Sequence, residues 1–328
     1  MLAHSERRKK INWRGKKMKK AIILSIAIFV FTTNFVSADT FGTGENQFTI
    51  DFVPISGDAS SANGTNIGNW NLKGFIDPSN NYRMGKFEIT NNQWTKFKDA
   101  YGAVTGTPST AYDENPYFTG TNVPTNELSW YEAAQFVNYL NTSTGHQVAY
   151  KFTGTIHTSD YTLAVWDAGD TDGTNFYRNK AAKYFLPTED EWVKAAYWNG
   201  TSLQTYANAS SSDLISGVPD LTKWNYNGSQ PWAVGSGAQE LNGTYDMMGN
   251  AFEWMESPFF SDDYLSGSNH CIRGGSSYNT ANNLASYSRD ANYPFDEYEV
   301  LGFRVASVIP EPCTLLLLGL GGLLIRKR

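Results

Sequence analysis

Tyr245-Asp246-Met247-Met248-Gly249-Asn250-Ala251-Phe252-Glu253-Trp254 combines a glycine turn with a core anchor in ten residues. Gly249 supplies backbone freedom ahead of Asn250, where the chain has to turn tightly. Trp254 is a large apolar side chain suited to the centre of a core. Working outward, Arg273-Gly274-Gly275-Ser276 sets two glycines directly after a short strand-like run, Cys271 to Arg273, where backbone turns or approaches another strand closely. Leu186-Pro187-Thr188-Glu189-Asp190-Glu191-Trp192 opens a helix and carries a second tryptophan anchor. Tyr82-Arg83-Met84-Gly85-Lys86-Phe87-Glu88-Ile89-Thr90-Asn91 and Gly302-Phe303-Arg304 lie at the two ends of the same region.

Three helices are predicted by one device, a hydroxyl residue followed three positions later by Glu or Gln, which satisfies free backbone donors at a helix start. The pairs are Thr90 with Gln93, Ser129 with Glu132, and Thr188 with Glu191. Apolar residues then recur at helical spacing: Trp94, Phe97 and Tyr101; Ala133, Phe136, Val137 and Leu140; Trp192, Ala195 and Ala196. Three amphipathic helices on a common core are expected. Phe48 to Ile55 reads as a strand followed by loops, and Val148 to Phe152 and Tyr161 to Trp166 read as strand-like. The acids of Asp167 to Gly173 do not fall at EF-hand spacing, so this segment reads as a hairpin turn. Thr201 to Gly243 is rich in Ser, Asn and Gly and predicts a long irregular surface.

The ends have a different character. Residues 1–38 hold nine basic side chains, then the apolar run Ala21 to Phe31, then the small-residue site Val36-Ser37-Ala38. That order predicts a signal peptide cut after Ala38, with Met18 as an alternative start. The apolar run is shorter than the roughly 20 residues a spanning helix needs. At the other end Pro310-Glu311-Pro312 precedes an almost wholly apolar run from Cys313 to Ile325 and the basic tip Arg326-Lys327-Arg328. Residues 39–310 carry 14 basic and 30 acidic side chains, a net charge of −16. Such a surface repels phosphate backbones and argues against nucleic acid as a partner. The chain has two cysteines, Cys271 and Cys313, so no disulfide framework is expected and a core must hold the body together.

The five internal stretches, in this order over about residues 82–306, resemble the formylglycine-generating enzyme, or sulfatase-modifying factor, family. The resemblance implies an α+β fold, irregular and C-type-lectin-like, with short strands, few helices and long loops. The C-terminal segment resembles the PEP-CTERM sorting signal; a plain tail anchor is the alternative. The expected organisation is therefore 1–38 signal peptide, 39–81 strand and loop extension, 82–307 formylglycine-generating-enzyme-like domain, and 308–328 sorting signal. The sorting resemblance implies export machinery and an exosortase as partners, transient membrane attachment by the tail, and a cell-surface, secreted or matrix location.

The family resemblance also implies a Ca2+ site on Asp246, Gly249, Ala251 and Glu253, with two side-chain oxygens and two backbone carbonyls as hard ligands. The alternative is that Asp246 and Glu253 cap turns by hydrogen bonds. A second family calcium site would need a ligand near Asn225. The family's oxidase reaction, which converts a sulfatase cysteine to formylglycine with O2, uses two cysteines shortly after the Arg-Gly-Gly-Ser element. Here Ser277 to Ala285 contains none. Copper is not expected, because Cu(I) needs soft thiolate ligands. Cys271 lies on the wrong side of the motif and reads as a small hydrophobe on a buried strand.

Other chemistries find no frame. His146, His157 and His270 show no metal-ligand spacing, and no serine sits in a nucleophile elbow. The resulting expectation is an exported, catalytically inactive domain that binds a carbohydrate or protein ligand or takes part in a matrix. Trp224, Tyr226 and Trp232 are its candidate stacking aromatics unless they are buried. The alternative is a formylglycine-generating oxidoreductase acting through other residues.

Overall fold

Thr90, Ser129 and Thr188 each cap a helix in the computed structural model, which describes residues 36–69, 71–208, 214–261 and 263–309. The helices are α1 (Asn91–Tyr101), α2 (Trp130–Ser143) and α3 (Glu189–Tyr197), and each start carries a complete reciprocal capping box. In α3 the Glu191 amide donates to Thr188 Oγ1 at 3.2 Å and the Thr188 amide donates to Glu191 Oε2 at 2.7 Å. Loss of one such cap costs about 0.5–2 kcal/mol.

Helix α1 buries Trp94 and Phe97 and is amphipathic, as expected. Helix α2 departs from that pattern and is buried from Trp130 to Asn141. Its inward amides make this tolerable by bonding to backbone. Asn138 Oδ1 accepts from the amides of Ala149 and Tyr150, both at 2.9 Å, and Asn141 Oδ1 accepts from Lys183 and Tyr184, both at 3.0 Å. Each amide satisfies backbone groups that would otherwise be stranded away from water.

The strands are short and curled into separate sheets. They are β1 (Ser37–Phe41), β2 (Phe48–Ile55), β3 (Tyr82–Gly85), β4 (Lys151–Thr153), β5 (Thr162–Ala164), β6 (Tyr184–Phe185), β7 (Phe252–Pro258), β8 (His270–Arg273), β9 (Asp290–Asn292), β10 (Leu301–Gly302) and β11 (Ala306–Val308). One sheet runs β1-β2-β3-β11-β6, a second β10-β7-β8-β9, and β4 pairs with β5. The β10–β7 pair is parallel and the others are antiparallel. Trp130, Trp192 and Trp254 lie fully buried at the centre.

Two details differ from the sequence reading. The β4–β5 hairpin turns through residues 154–161, not through Asp167 to Gly173, which forms a separate turn closed by the Asp170 amide on the Asp167 carbonyl at 2.9 Å. Strand β1, which the sequence reading does not include, pairs with β2, so two strands from before residue 82 stand in the main sheet. Asp39 on β1 is bonded by Arg83 of β3, at 3.0 Å to Oδ1, and by the Tyr184 hydroxyl of β6 at 2.7 Å. Lys194 of α3, itself buried, pins the loops after β2 through the Gly57 carbonyl and Asp77 Oδ1, both at 2.7 Å. The expected signal peptide, before residue 36, and the expected sorting signal, from residue 310, lie outside the described residues, among which no helix is long and apolar enough to cross a membrane.

Candidate functional site

Asp246, Gly249 and Asn250 all adopt positive φ, at 62°, 90° and 64°. A turn this tight needs glycine at its middle. A Cβ on Gly249 would stand 2.2 Å from the Asn225 carbonyl oxygen, the same oxygen that accepts from the Asn250 amide at 2.9 Å. Asn250 is the hub of the turn. Its Oδ1 accepts from Asn225 Nδ2 at 2.8 Å and from the Trp232 amide at 2.7 Å, and its Nδ2 donates to Glu88 Oε2 at 2.7 Å. Glu88 also accepts from the Ala251 amide at 3.1 Å. Strand β7 thus leaves the turn in a fixed direction, which sends Glu253 and Trp254 into the core.

Four buried carboxylates surround this turn: Glu88, Glu240, Asp246 and Glu253. The cation among them is Arg304, whose Nε and Nη2 donate to Glu253 Oε2 and Oε1, both at 2.6 Å, with Trp192 Nε1 adding a bond to Oε2 at 2.8 Å. Glu240 accepts from the Met247 and Met248 amides at 3.1 and 3.0 Å, and Asp246 Oδ2 accepts from the Gly235 amide at 2.7 Å. Burial pushes Glu240 up to about 8 and Asp246 up to about 6. Glu88 is raised well above the carboxylate range by burial, with Asp246 and Glu253 adding to it. Among the described residues no group of three or more His, Cys, Asp or Glu side chains is placed to hold a metal ion. Asp246, Gly249 and Ala251 lie at the turn, while Glu253 stands on β7 with both of its oxygens bonded by Arg304. Glu88 and Glu240 were missed as members of this cluster. The available signal was Glu88 standing inside a segment that is otherwise strand and helix cap.

The loop after β8 is closed upon itself. Asn279 Oδ1 accepts from the Ser276 amide and hydroxyl, both at 2.8 Å, and the Ser277 amide donates to the Asn250 carbonyl at 2.9 Å. Leu284 ends the following short 3-10 helix fully buried, and its carbonyl accepts from the Tyr197 hydroxyl at 2.7 Å. Cys271 is buried on β8 and donates to Glu189 Oε1 at 3.1 Å. Burial, with the Glu189 charge beside it, pushes its thiol well up, which disfavours the reactive thiolate. His270 stacks on Trp130 at 4.1 Å and burial lowers it to about 3, so it stays neutral. Of the expected stacking aromatics, Tyr226 and Trp232 are buried and Trp224 is half-buried, packed against the core.

A second acidic group lies where α2 meets the loop before β10. Glu132 caps α2 through the Ser129 amide at 2.9 Å and faces Glu297, which in turn faces Asp113. Burial pushes Glu132 up to about 7, and burial with the repulsion of Glu132 and Asp113 pushes Glu297 further, so the pair holds a proton at neutral pH. Lys98 is the cation acting on Glu132. Both folded-state values lie above the unfolded value, so the stabilisation is full below about pH 4.3 and is lost as pH rises through about 7 and beyond. The melting temperature of wild type should therefore fall over that interval relative to a Glu297→Gln variant, whose curve is flatter. Parallel curves in a pH series of thermal melts would contradict the shared proton.

Short curled sheets, few helices and long loops around this turn define a C-type-lectin-like α+β domain of the formylglycine-generating-enzyme kind. The Sulfatase-modifying factor enzyme 1-like domain matches residues 76–309, and the chain belongs to that family. No curated protein matches the sequence. Among solved structures, Treponema denticola variable protein 1 is similar over 84% of this chain and 100% of its own, with TM-score 0.56 and 20% identity. CarF is similar over 80% of this chain and 99% of its own, with TM-score 0.55 and 21% identity. PvdO from Pseudomonas aeruginosa covers 83% of this chain and 98% of its own, with TM-score 0.52 and 15% identity. At these identities the likeness establishes the fold alone.

Proposed function

We propose that this protein is an exported, surface-delivered member of the family that has lost the formylglycine reaction and serves as a binding domain. The observation that carries the reading is the segment 276–284. It holds no thiol, and Ser276 with Asn279 and Thr280 with Asn283 bond to one another in closing the loop. A two-thiolate copper centre has no ligands there. The basic leader and the Pro-Glu-Pro tail support delivery to the outside, where an exosortase would be the processing partner. The expected leader cut after Ala38 would leave Asp39, with its bonds to Arg83 and Tyr184, as the first residue of the mature sheet.

Protease shaving of intact cells that express the full chain tests the delivery. The domain should be cleaved from outside, and a chain ending at residue 309 should be recovered in the medium instead of on cells. A chain that stays protected inside intact cells would overturn the proposal. Within the same reading, Ca2+ is the cofactor, held by Asp246, the carbonyls of Gly249 and Ala251, and Glu253. Adding millimolar Ca2+ to chelator-treated protein should raise the melting temperature by several degrees, since a ligand that binds only the native state stabilises it by mass action. Asp246→Ala should abolish that rise.

A further inference from the structure

Seven aromatic side chains are exposed among the described residues, and six of them fall in two segments: Tyr117 in the first, and Tyr278, Tyr287, Tyr293, Phe295 and Tyr298 in the second. The second segment runs through the loops around β9. The two segments meet. The Tyr117 and Phe118 rings are 4.9 Å apart, Phe118 and Tyr278 are 6.4 Å apart, and the Glu127 amide donates to the Tyr298 carbonyl at 3.0 Å. Tyr293 and Phe295 stack at 5.2 Å with planes 11° apart. Tyr117, Tyr278 and Tyr298, joined through Phe118 and Glu127, bring exposed rings together as a recognition surface does.

Charge decides the occupant. From Gly102 to Tyr131 the chain has no lysine or arginine, and from Gly274 to Val300 it has Arg289 alone, which is buried and bonded to both oxygens of Glu189. The same stretches carry Asp113, Glu114, Glu127, Asp290, Asp296 and Glu299, besides Glu297, which holds its proton. Three of these acids stand by the rings: Glu299 acts on both the Tyr278 phenol and Glu127, and Glu114 also acts on Glu127. Negative ring faces and carboxylates together suit a cation whose shaft lies on the ring and whose head reaches an acid.

We propose that the face formed by Tyr117, Phe118, Tyr278 and Tyr298 with Glu127 and Glu299 docks a lysine- or arginine-rich polypeptide segment. The inference rests on the binding-domain reading and gives it a surface and a class of partner. Association should be steered by the acidic field and should weaken as salt screens it.

The test is fluorescence-anisotropy titration of the purified full-length protein with a labelled nona-arginine peptide, a nona-lysine peptide and a nona-glutamine control. Both cationic peptides should bind and the glutamine peptide should not. Binding should weaken at least tenfold between about 50 and about 300 mM salt, a range over which the Debye length drops from above 10 Å to below it. Tyr117→Ala with Tyr278→Ala, and separately Glu127→Gln with Glu299→Gln, should each weaken binding about tenfold while leaving the melting temperature unchanged, because these side chains are outside the core. Equal binding by wild type and both variants, or equal binding of the glutamine peptide, would overturn the proposal. Binding of a neutral oligosaccharide in place of the cationic peptides would also overturn it and leave the broader binding-domain reading standing.

Discussion

Replacing Arg304 with Met should destabilise the protein by about 3–5 kcal/mol, read as a large downward shift of the urea midpoint. Removing one partner of a buried ion pair leaves an uncompensated charge in a dry site. Arg304 is fully buried, holds Glu253 at both oxygens, and also donates to the carbonyls of Gly85 and Tyr245 at 3.0 and 2.9 Å. Its loss would also withdraw the cation that acts on Glu88, Glu240 and Asp246. Arg304→Lys should recover only part of the loss, because an ammonium supplies a point charge and not the planar fork that meets both oxygens. An unchanged midpoint in Arg304→Met would show that the carboxylates around the turn are compensated by something other than this arginine.

Glu189→Gln should cost a similar amount, about 3–5 kcal/mol, by leaving two buried guanidiniums without their shared anion. Glu189 Oε1 accepts from Arg273 Nε and Arg289 Nε, both at 2.8 Å, and Oε2 accepts from Arg289 Nη2 at 2.9 Å. Burial alone would raise the Glu189 carboxyl. The charges of Arg273 and Arg289 overcome burial and hold it at about 2. A folded-state value below the unfolded one contributes stability above the unfolded pKa and loses it as pH falls through the folded pKa. The stability gap between wild type and Glu189→Gln should therefore be widest at neutral pH and close between about pH 4.3 and about 2. Denaturant titrations at several pH values give the gap directly, and a gap independent of pH would contradict the ion network as its source.

The two networks also show what can and cannot be read from a linear sequence. The capping boxes at Thr90, Ser129 and Thr188 were legible because both halves of each device lie three residues apart. Strand β2 was legible for the same reason, since its apolar pattern is local. Glu189 and Glu191 were legible as acids in a helix start, but not as anions for Arg273, Arg289 and Arg178, because those pairings are made by the fold. The turn at Gly249 was visible as a glycine motif, while Glu88, which arrives from before α1 to bond Asn250, was not. Strand β1 is five residues at the expected cut after Ala38, too short to show a period. Trp224, Tyr226 and Trp232 stand in a loop-forming segment, where sequence carries no period from which to read burial. The aromatics that do reach solvent lie in loops as well, at residues 117, 260 and 278–298.

On our reading a family fold persists here without the family's oxidation. The measurement that tests it most directly is incubation of the purified full-length protein with a sulfatase-motif cysteine peptide under O2, with and without copper, followed by mass spectrometry for formylglycine. The cysteine should remain unmodified in both conditions, from a protein whose melt shows it folded. Formylglycine formed in proportion to protein, and lost when the protein is unfolded, would contradict it.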